Sequence, residues 1–138
     1  MAERKEMQEK VLTYRILENR LDSFLKQREM VVSKLIEIQN TLSSMDEIEK
    51  SKEDILFPIG AEAYAFGKVV DKKRVMVDIG ANVILEKTVE EGKQILEKRK
   101  AEVENGLNEM QREIAEMSAA LEHLGLEIQE TPEDSEAG

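Results

Sequence analysis

Apolar residues recur at alternating spacings of three and four over the first third of the chain. The series begins at Tyr14, and nine of its ten positions are apolar because only Arg28 interrupts it. Its apolar members are Tyr14, Leu17, Leu21, Phe24, Val31, Leu35, Ile38, Leu42 and Met45. A 3.5-residue period held over about 30 residues is typical of a coiled-coil helix. No Pro or Gly precedes Pro58, so we expect one helix over residues 1–54.

A second series of the same kind fills the last third of the chain, where only Lys100 interrupts it. Its apolar members are Leu96, Val103, Leu107, Met110, Ile114, Met117, Leu121, Leu124 and Ile128. Thr88 and Glu91 precede the series as a capping box, in which each side chain bonds a backbone N–H that a helix start leaves free. We therefore expect a second helix over residues 88–129 and a disordered acidic tail over residues 130–138.

Residues 55–87 follow a different pattern, in which β-forming residues alternate along short runs. Turn signals at Gly60, at 71–74 and at 80–82 separate the runs, so the pattern predicts four strands in two tandem β-hairpins. Gly67 lies inside the second run, which indicates a bulge or a close backbone approach. The predicted fold is therefore α+β, with two long helices joined by two hairpins.

The two helices are expected to pair antiparallel, because the strands return the chain and each apolar series needs a partner. Counting back from the hairpins places Ile128 opposite Tyr14, so the first dozen residues should extend past the second helix or lie beside the tail. Residues 113–138 hold eight acids and no Lys or Arg, whereas residues 1–34 hold eight bases and six acids. The antiparallel arrangement would bring these segments together, although both could simply be solvated faces.

Hairpins of this size are not stable alone, because their edges and apolar side chains remain exposed. Oligomerisation solves this problem if strands from several chains close a common sheet or an intersubunit β-barrel hub. The alternative is that both hairpins fold back on the helix pair of their own chain. The residues expected to build the hub are Ile55, Phe57, Ile59, Tyr64, Phe66, Val69, Val75, Val77, Ile79, Val83 and Leu85.

Composition argues against several classes of function. The net charge of -10 disfavours nucleic-acid binding, and a chain without Cys holds no disulfide and no thiolate metal site. Apolar runs are too short to span a membrane, and the start of the chain does not resemble a signal peptide. His123 is the only His and is expected to be solvated, and no phosphate-binding loop motif is present. We therefore expect neither an enzyme nor a bound metal or cofactor.

The chain resembles prefoldin over nearly its whole length, from Met7 to Ile128, and within that family it resembles the alpha class of subunit. The most specific stretches read I-L-F-P-I-G, G-K-V-V-D and V-M-V-D-I-G-A-N-V-I-L-E-K-T-V-E-E-G. The entry into the second helix matches the alpha pattern at Glu86, Lys87, Thr88, Glu90 and Glu91. Gly92 stands where Ala is usual, which we expect to weaken the first helical turn and nothing else. Two hairpins select the alpha class, because beta-class subunits have one.

The resemblance implies an ATP-independent co-chaperone of the cytosol, of an archaeal type. Two alpha and four beta subunits would form a hexamer, with a double β-barrel hub and coiled-coil arms around a cavity. The tips of the arms would hold non-native proteins and deliver them to a group II chaperonin. A neighbouring variety, similar to alpha, assembles with itself into filaments, and this structural role is the alternative.

A holding function predicts flexible apolar side chains near the free ends of the helices. The candidates for client contact are Met7, Val11, Leu12, Ile16, Leu121, Leu124, Leu126 and Ile128. Leu12, Ile16 and Leu126 lie off the apolar series, so helix pairing does not account for them. The others could be ordinary residues of the helix interface. A second stripe could line the cavity or broaden the helix interface: Leu25, Val32 and Ile36.

Overall fold

The computed structural model describes residues 2–130 and contains two helices and four strands. In chain order these are α1 (Ala2–Lys50), β1 (Ile55–Gly60), β2 (Ala63–Gly67), β3 (Arg74–Asp78), β4 (Ile84–Thr88) and α2 (Val89–Gln129). The predicted α+β fold of two long helices and two hairpins is confirmed. Apart from Glu130, the predicted acidic tail lies outside the described residues.

α1 ends at Lys50, earlier than the expected residue 54. The last backbone bond of the helix runs from the Ser51 N–H to the Glu47 carbonyl at 2.8 Å. The Ser51 carbonyl then accepts a hydrogen bond from the Lys72 ammonium, which satisfies one of the acceptors that a helix end leaves free. Residues 51–54 are therefore used to turn the chain from the helix into β1.

The four strands form two separate antiparallel hairpins, the first from β1 and β2 and the second from β3 and β4. Both turns begin with Gly-Ala, at Gly60-Ala61 and Gly80-Ala81, and all three residues of each turn have positive φ. In the second turn the Val83 N–H donates to the Gly80 carbonyl at 2.9 Å. Such primed turns match the right-handed twist of the strands, at the cost of placing an Ala in a region that favours Gly.

Residues 34–103 form a unit in which the second hairpin packs on both helices. Its core contains the buried side chains of Ile38, Met45, Val89 and Leu96, together with Leu42, Val75 and Val103. Val77 is also buried. The second hairpin therefore does fold back on its own helices, through one face. Val75 and Val77, which were expected in the intersubunit hub, therefore face the inside of their own chain.

The continuous chain, one backbone hydrogen bond and one side-chain hydrogen bond attach the second hairpin to α2. β4 runs into α2 without an intervening residue, and the Val89 N–H donates to the Lys73 carbonyl at 2.9 Å. The Arg99 guanidinium donates to the Asp78 carbonyl at the far end of β3. The first hairpin, by contrast, is joined to the rest of this unit by residues 51–54 and 68–73.

Gly92, in the first turn of α2, lies directly beneath the second hairpin. A Cβ atom at this position would lie 2.8 Å from Cγ2 of Val75 and 3.6 Å from atoms of Val77 and Met45. The expectation that Gly92 only weakens the helix is therefore incomplete, because the missing side chain lets the hairpin approach the helix. The predicted capping box is present beside it, since the Glu91 N–H donates to Thr88 Oγ1 at 3.1 Å.

The remaining described residues, 2–33 and 104–130, form a second unit of paired helix segments. Met7, Ile114 and Leu121 are buried, and Lys10 Nζ lies 3.4 Å from Glu127 Oε2. α2 thus reaches back as far as Lys10, so the first dozen residues do not all extend past it; the other expected arrangement, beside the tail, involves residues outside the described ones. The apolar series continues one heptad towards the N-terminus, to Met7.

Candidate interaction surfaces

The outer face of the first hairpin, which we define as Leu56, Pro58, Tyr64 and Phe66, is an exposed apolar surface. Leu56 pairs with Phe66 and Pro58 pairs with Tyr64, so all four side chains emerge on the same side of the hairpin. Leu56, Tyr64 and Phe66 are 55%, 58% and 82% exposed. A monomer gains nothing by presenting such a face to water, which indicates a surface that docks on something.

The other face of the first hairpin is partly closed by its own side chains. The ring of Phe57 lies over Gly67, where a Cβ would come within 2.8 Å of Cε2 of the ring. The close approach predicted for Gly67 is therefore present, and the strand irregularity lies elsewhere, between Pro58 and Gly60. Ile55 is half-buried and lines a cavity of about 70 Å³ together with Ile48 and Val69.

Six of the eleven predicted hub residues fall into three environments. Tyr64 and Phe66 lie on the outer face of the first hairpin, Ile55 and Phe57 lie on its other face, and Val75 and Val77 are inside the chain's own core. Val69 is half-buried, and the remaining four are exposed: Ile59, Ile79, Val83 and Leu85. Sequence reasoning missed Leu56, Pro58, Met76 and Ile84, which are also exposed on the hairpins. The pairing of β1 with β2 identifies Leu56 and Pro58, because they lie opposite Phe66 and Tyr64, which the sequence analysis assigns to the hub.

The outer face of the second hairpin carries charges as well as apolar side chains. Met76 and Ile84 are exposed there, next to Arg74, whose Nη1 lies 2.9 Å from Glu86 Oε1. Arg74 Nε also lies 2.6 Å from Asp71 Oδ2. The backbone N–H of Lys73 and the Arg74 guanidinium both hydrogen-bond to Asp71, and they hold the pKa of its carboxyl below the usual value. The two hairpins therefore present different chemistry to a partner.

An ion-pair clamp joins the two helices close to the hairpins. Lys93 Nζ of α2 lies 2.7 Å from Asp46 Oδ1 and 2.5 Å from Glu49 Oε1 of α1. The hydrogen bond from Lys93 lowers the pKa of Asp46, and the two carboxylates together raise the pKa of Lys93. The clamp favours the antiparallel alignment of α1 and α2 in this unit.

In the unit of residues 2–33 and 104–130, three of the eight predicted client-contact residues are exposed. Leu12, Ile16 and Leu126, which we call the tip surface, are 60%, 56% and 52% exposed. They are the three residues that lie off the apolar series. Met7 and Leu121 are buried in the helix interface, whereas Val11, Leu124 and Ile128 are half-buried.

Sequence reasoning missed an open groove in this unit. Tyr14 packs against Gly125, where a Cβ would lie 3.5 Å from Cε2 of the tyrosine. The groove measures about 330 Å³ and its wall includes Val11 and Ile128, with Arg15 and Glu18 at the polar side. The sequence did not point to Gly125, because the space that a helical glycine leaves matters only to the side chain packed against it, and Tyr14 is distant in sequence.

The second apolar stripe on α1 is divided between the two units. Leu25 and Val32 are half-buried, which fits a broadened helix interface, and Ile36 is exposed. Among residues 2–130, no group of three or more His, Cys, Asp or Glu side chains could hold a metal ion. The His123 side chain is largely exposed, and its Nδ1 lies 3.3 Å from Glu127 Oε1. None of the helices in this part of the chain has the length and apolar content needed to cross a membrane.

Comparison with known proteins identifies the family. The model of the prefoldin subunit family matches residues 2–133. The chain belongs to the prefoldin family. Prefoldin subunit alpha of Pyrococcus horikoshii is 28% identical over 91% of this chain and 87% of its own length. Prefoldin subunit alpha of Archaeoglobus fulgidus is 25% identical, over 93% of this chain and 95% of its own.

The same fold occurs in a solved prefoldin structure. Filamentous prefoldin (PFD) from Methanocaldococcus jannaschii, determined by cryo-EM, has a TM-score of 0.69 and 21% identity, covering 87% of this chain and 98% of its own. The resemblance to the alpha class of prefoldin, expected from the hairpins and the helix entry, is therefore confirmed. The chain is a chaperone subunit of the prefoldin type.

Proposed function

We propose that this prefoldin chain is the alpha-type subunit of an ATP-independent holdase of the cytosol. Two such chains would assemble with four beta-class subunits through the hairpins. The complex would bind non-native polypeptides at the ends of its coiled-coil arms and deliver them to a group II chaperonin. The similarity to archaeal alpha subunits and the two hairpins support this role.

The observation that carries the proposal is the exposure of apolar side chains in two places with different surroundings. The hairpins expose aromatic and aliphatic side chains on short strands, which suits assembly by strand pairing and sheet packing. The tip surface exposes Leu12 and Ile16, which are four residues apart on the same face of α1, and Leu126 of α2, amid charged residues. A small aliphatic surface of this kind suits weak contact with many different clients.

The binding free energy available from the tip surface of one arm is too small to hold a client. Complete burial of a Leu or Ile side chain contributes about 1.5–3 kcal/mol, so half-exposed residues contribute about 1 kcal/mol each. Three of them give roughly 3 kcal/mol, less than the roughly 4 kcal/mol of a millimolar complex. Several arms that bind one client together would raise the affinity strongly without any new contact. Holding therefore requires the assembled complex.

The test is to assemble this chain with beta-class subunits and to measure how well the complex suppresses the aggregation of an unfolded client protein. The triple variant Leu12→Ser, Ile16→Ser, Leu126→Ser should assemble normally and suppress aggregation of a chemically unfolded protein several-fold less well. Met30→Ser with Ile36→Ser removes two other exposed apolar residues of α1 and serves as the matched control. Equal suppression by the wild type and the triple variant would show that the tip surface does not hold clients.

The alternative function is a structural one, in which the chain assembles with itself into filaments. The strands of the first hairpin carry no charge, so a second copy of the chain could approach them without electrostatic repulsion, which favours this alternative. Light scattering of the purified chain separates the two roles. A mass that grows continuously with concentration would favour the filament, whereas a defined small species that combines with a beta-class subunit would favour the holdase.

A further inference from the structure

The two segments that connect the first hairpin to the rest of its unit have a charge opposite to that of the whole chain. We propose that this surface, residues 50–54 and 68–74, binds an acidic polypeptide segment of another protein that carries an apolar side chain among its carboxylates. We call this surface the basic junction. The inference goes beyond the proposed function, because the partner is neither a client held by the tip surface nor a subunit of the complex.

Positive charge is concentrated in the basic junction. It holds six of the twenty Lys and Arg residues of the chain and only three of its thirty acids, whereas the rest of the chain holds fourteen bases and twenty-seven acids. The bases are all exposed: Lys50, Lys52, Lys68, Lys72, Lys73 and Arg74. An acidic segment is therefore attracted to this region and repelled by the remainder of the chain.

A hydrogen bond and an ion pair hold the two segments of the basic junction together. The Lys72 ammonium donates to the Ser51 carbonyl, and Lys68 Nζ lies 3.7 Å from Asp54 Oδ1. Lys52, Lys68 and Lys72 line the same cavity of about 70 Å³. An ammonium group has three donors, so Lys68 and Lys72 keep donors for a further carboxylate. The lysines of both segments therefore contribute to one surface.

Structural roles account for only some of these bases. Lys68, Lys72 and Arg74 are bonded to groups of their own chain. Lys52 and Lys73 differ, because in the described part of the chain neither ammonium group forms an ion pair or a hydrogen bond. Lys52 lines the cavity and Lys73 follows Lys72, so like charges lie near one another. Their mutual repulsion is relieved when an anionic partner binds.

An exposed valine lies in the middle of the second segment. Val70 is fully exposed, and it is the most exposed large apolar side chain in the described part of the chain. Its neighbour Val69 is half-buried and lines the cavity together with Ile48 and Ile55. Val70 thus contributes nothing to the core of its own chain. It can gain hydrophobic free energy only by contact with another molecule, which calls for an apolar side chain in the partner.

The acids within the basic junction favour a polypeptide over a nucleic acid. Glu53, Asp54 and Asp71 are interspersed with the bases and would repel the regularly spaced phosphates of a nucleic acid. A polypeptide can place its carboxylates against the lysines and its uncharged residues against these acids. Residues 50–54 and 68–74 also include no aromatic residue on which a nucleotide base could stack.

The first test is binding of a fluorescent synthetic peptide, E-E-L-D-E-L-E-E, to the full chain, followed by fluorescence anisotropy. Binding should weaken about ten-fold when the salt concentration rises from about 0.05 M to about 0.5 M. The uncharged peptide Q-Q-L-N-Q-L-Q-Q should not bind, and E-E-G-D-E-G-E-E should bind several-fold more weakly because it offers nothing to Val70. Absence of binding by the first peptide, or equal binding of the uncharged one, would overturn the inference.

Matched variants then locate the site. Lys52→Gln with Lys73→Gln should weaken binding of the leucine-containing peptide about ten-fold and leave the circular dichroism unchanged, because neither ammonium has a partner in the fold. Lys26→Gln with Lys34→Gln removes the same charge from α1 and should leave binding nearly unchanged. Val70→Ser should weaken binding of the leucine-containing peptide but not of E-E-G-D-E-G-E-E. Equal losses in the two lysine pairs would show a response to net charge alone and would contradict a site.

Three further measurements distinguish the basic junction from other sites. The triple serine variant of the tip surface should bind the peptide as the wild type does, and lost binding would mean that the peptide is held as a client. The complex with beta-class subunits should bind it too, and lost binding there would assign the basic junction to a subunit interface. Tighter binding of a single-stranded oligonucleotide would make nucleic acid the partner. Because the first test needs only the chain itself, a failure of the proposed function would leave its result unchanged.

Discussion

A side chain at residue 92 would collide with Val75, because a Cβ at Gly92 would lie 2.8 Å from Cγ2 of that valine. Val75 belongs to the core beneath the second hairpin, and its branched side chain has little freedom to move. The close packing of hairpin and helix therefore depends on a residue that helix propensity alone would count as a weakness.

Two of the three glycines inside α2 allow a direct test of this dependence. Gly106→Ala should raise the free energy of unfolding by about 1 kcal/mol, since a Cβ there meets nothing within 4 Å. Gly92→Ala should lower it despite the same gain in helix propensity, because Val75 and the hairpin must shift. Thermal unfolding of both variants measures the difference. Stabilisation of Gly92→Ala to the extent seen for Gly106→Ala would contradict the packing role.

Charge introduced at Val77 and at Ile79 should have different consequences. Val77→Asp places a carboxylate in the core of the second hairpin and should reduce the free energy of unfolding by about 3 kcal/mol or more. Ile79→Asp alters an exposed residue and should change it by less than about 0.5 kcal/mol. Denaturant unfolding of the chain alone checks both values. Equal destabilisation by the two variants would mean that the second hairpin is not packed on the helices as described.

The Lys93 clamp predicts a specific response to acid. Lys93 lowers the pKa of Asp46 in the folded chain below its ordinary value of 3.8, so this carboxylate stabilises the fold above that pH and the contribution is lost as the pH falls through the lowered value. Lys93→Gln should therefore flatten the fall of the melting temperature below about pH 4. The contribution of Asp71 does not involve Lys93, so part of the slope should remain. An unchanged slope would exclude the clamp.

Glycine at the second position of each hairpin turn should stabilise the chain, because Ala61 and Ala81 have φ angles of 45° and 50°. Ala81→Gly should raise the melting temperature, since a non-glycine residue in this region costs roughly 1 kcal/mol and glycine recovers part of it. Ala65→Gly, in the middle of β2, is the control and should lower stability by about 0.5–1 kcal/mol. A lower melting temperature for Ala81→Gly would argue against the described turn.

The helices and hairpins were predictable because their periodicity is local. Alternating spacings of three and four place Ile38, Leu96 and Ile114 in the helix interface whatever else the chain does. The exposure of Leu12 and Leu126 followed from the same argument, since both lie off the apolar series. These predictions needed only the geometry of a helix.

The roles of the strand residues were not predictable in the same way. Alternation shows which residues share a face but not what covers it, so Val75 and Val77 were assigned to other subunits and lie in the chain's own core. Leu56 was missed because β1 carries apolar residues on both of its faces, so alternation alone does not separate them. Its pairing with Phe66 shows that it lies on the face opposite to Ile55 and Phe57. Gly92 and Gly125 depend on Val75 and Tyr14, which are distant in sequence.

The unequal attachment of the two hairpins has a mechanical consequence. β4 continues into α2 without a break, and the two ends of β3 are bonded to α2 through the Lys73 carbonyl and the Asp78 carbonyl, so a force on α2 acts directly on the second hairpin. The first hairpin is reached through residues 51–54 and 68–73, which are joined to each other by the Lys72–Ser51 hydrogen bond and the Lys68–Asp54 ion pair. A displacement of the first turns of α2 therefore moves the second hairpin directly, whereas it reaches the first hairpin through these two connecting segments.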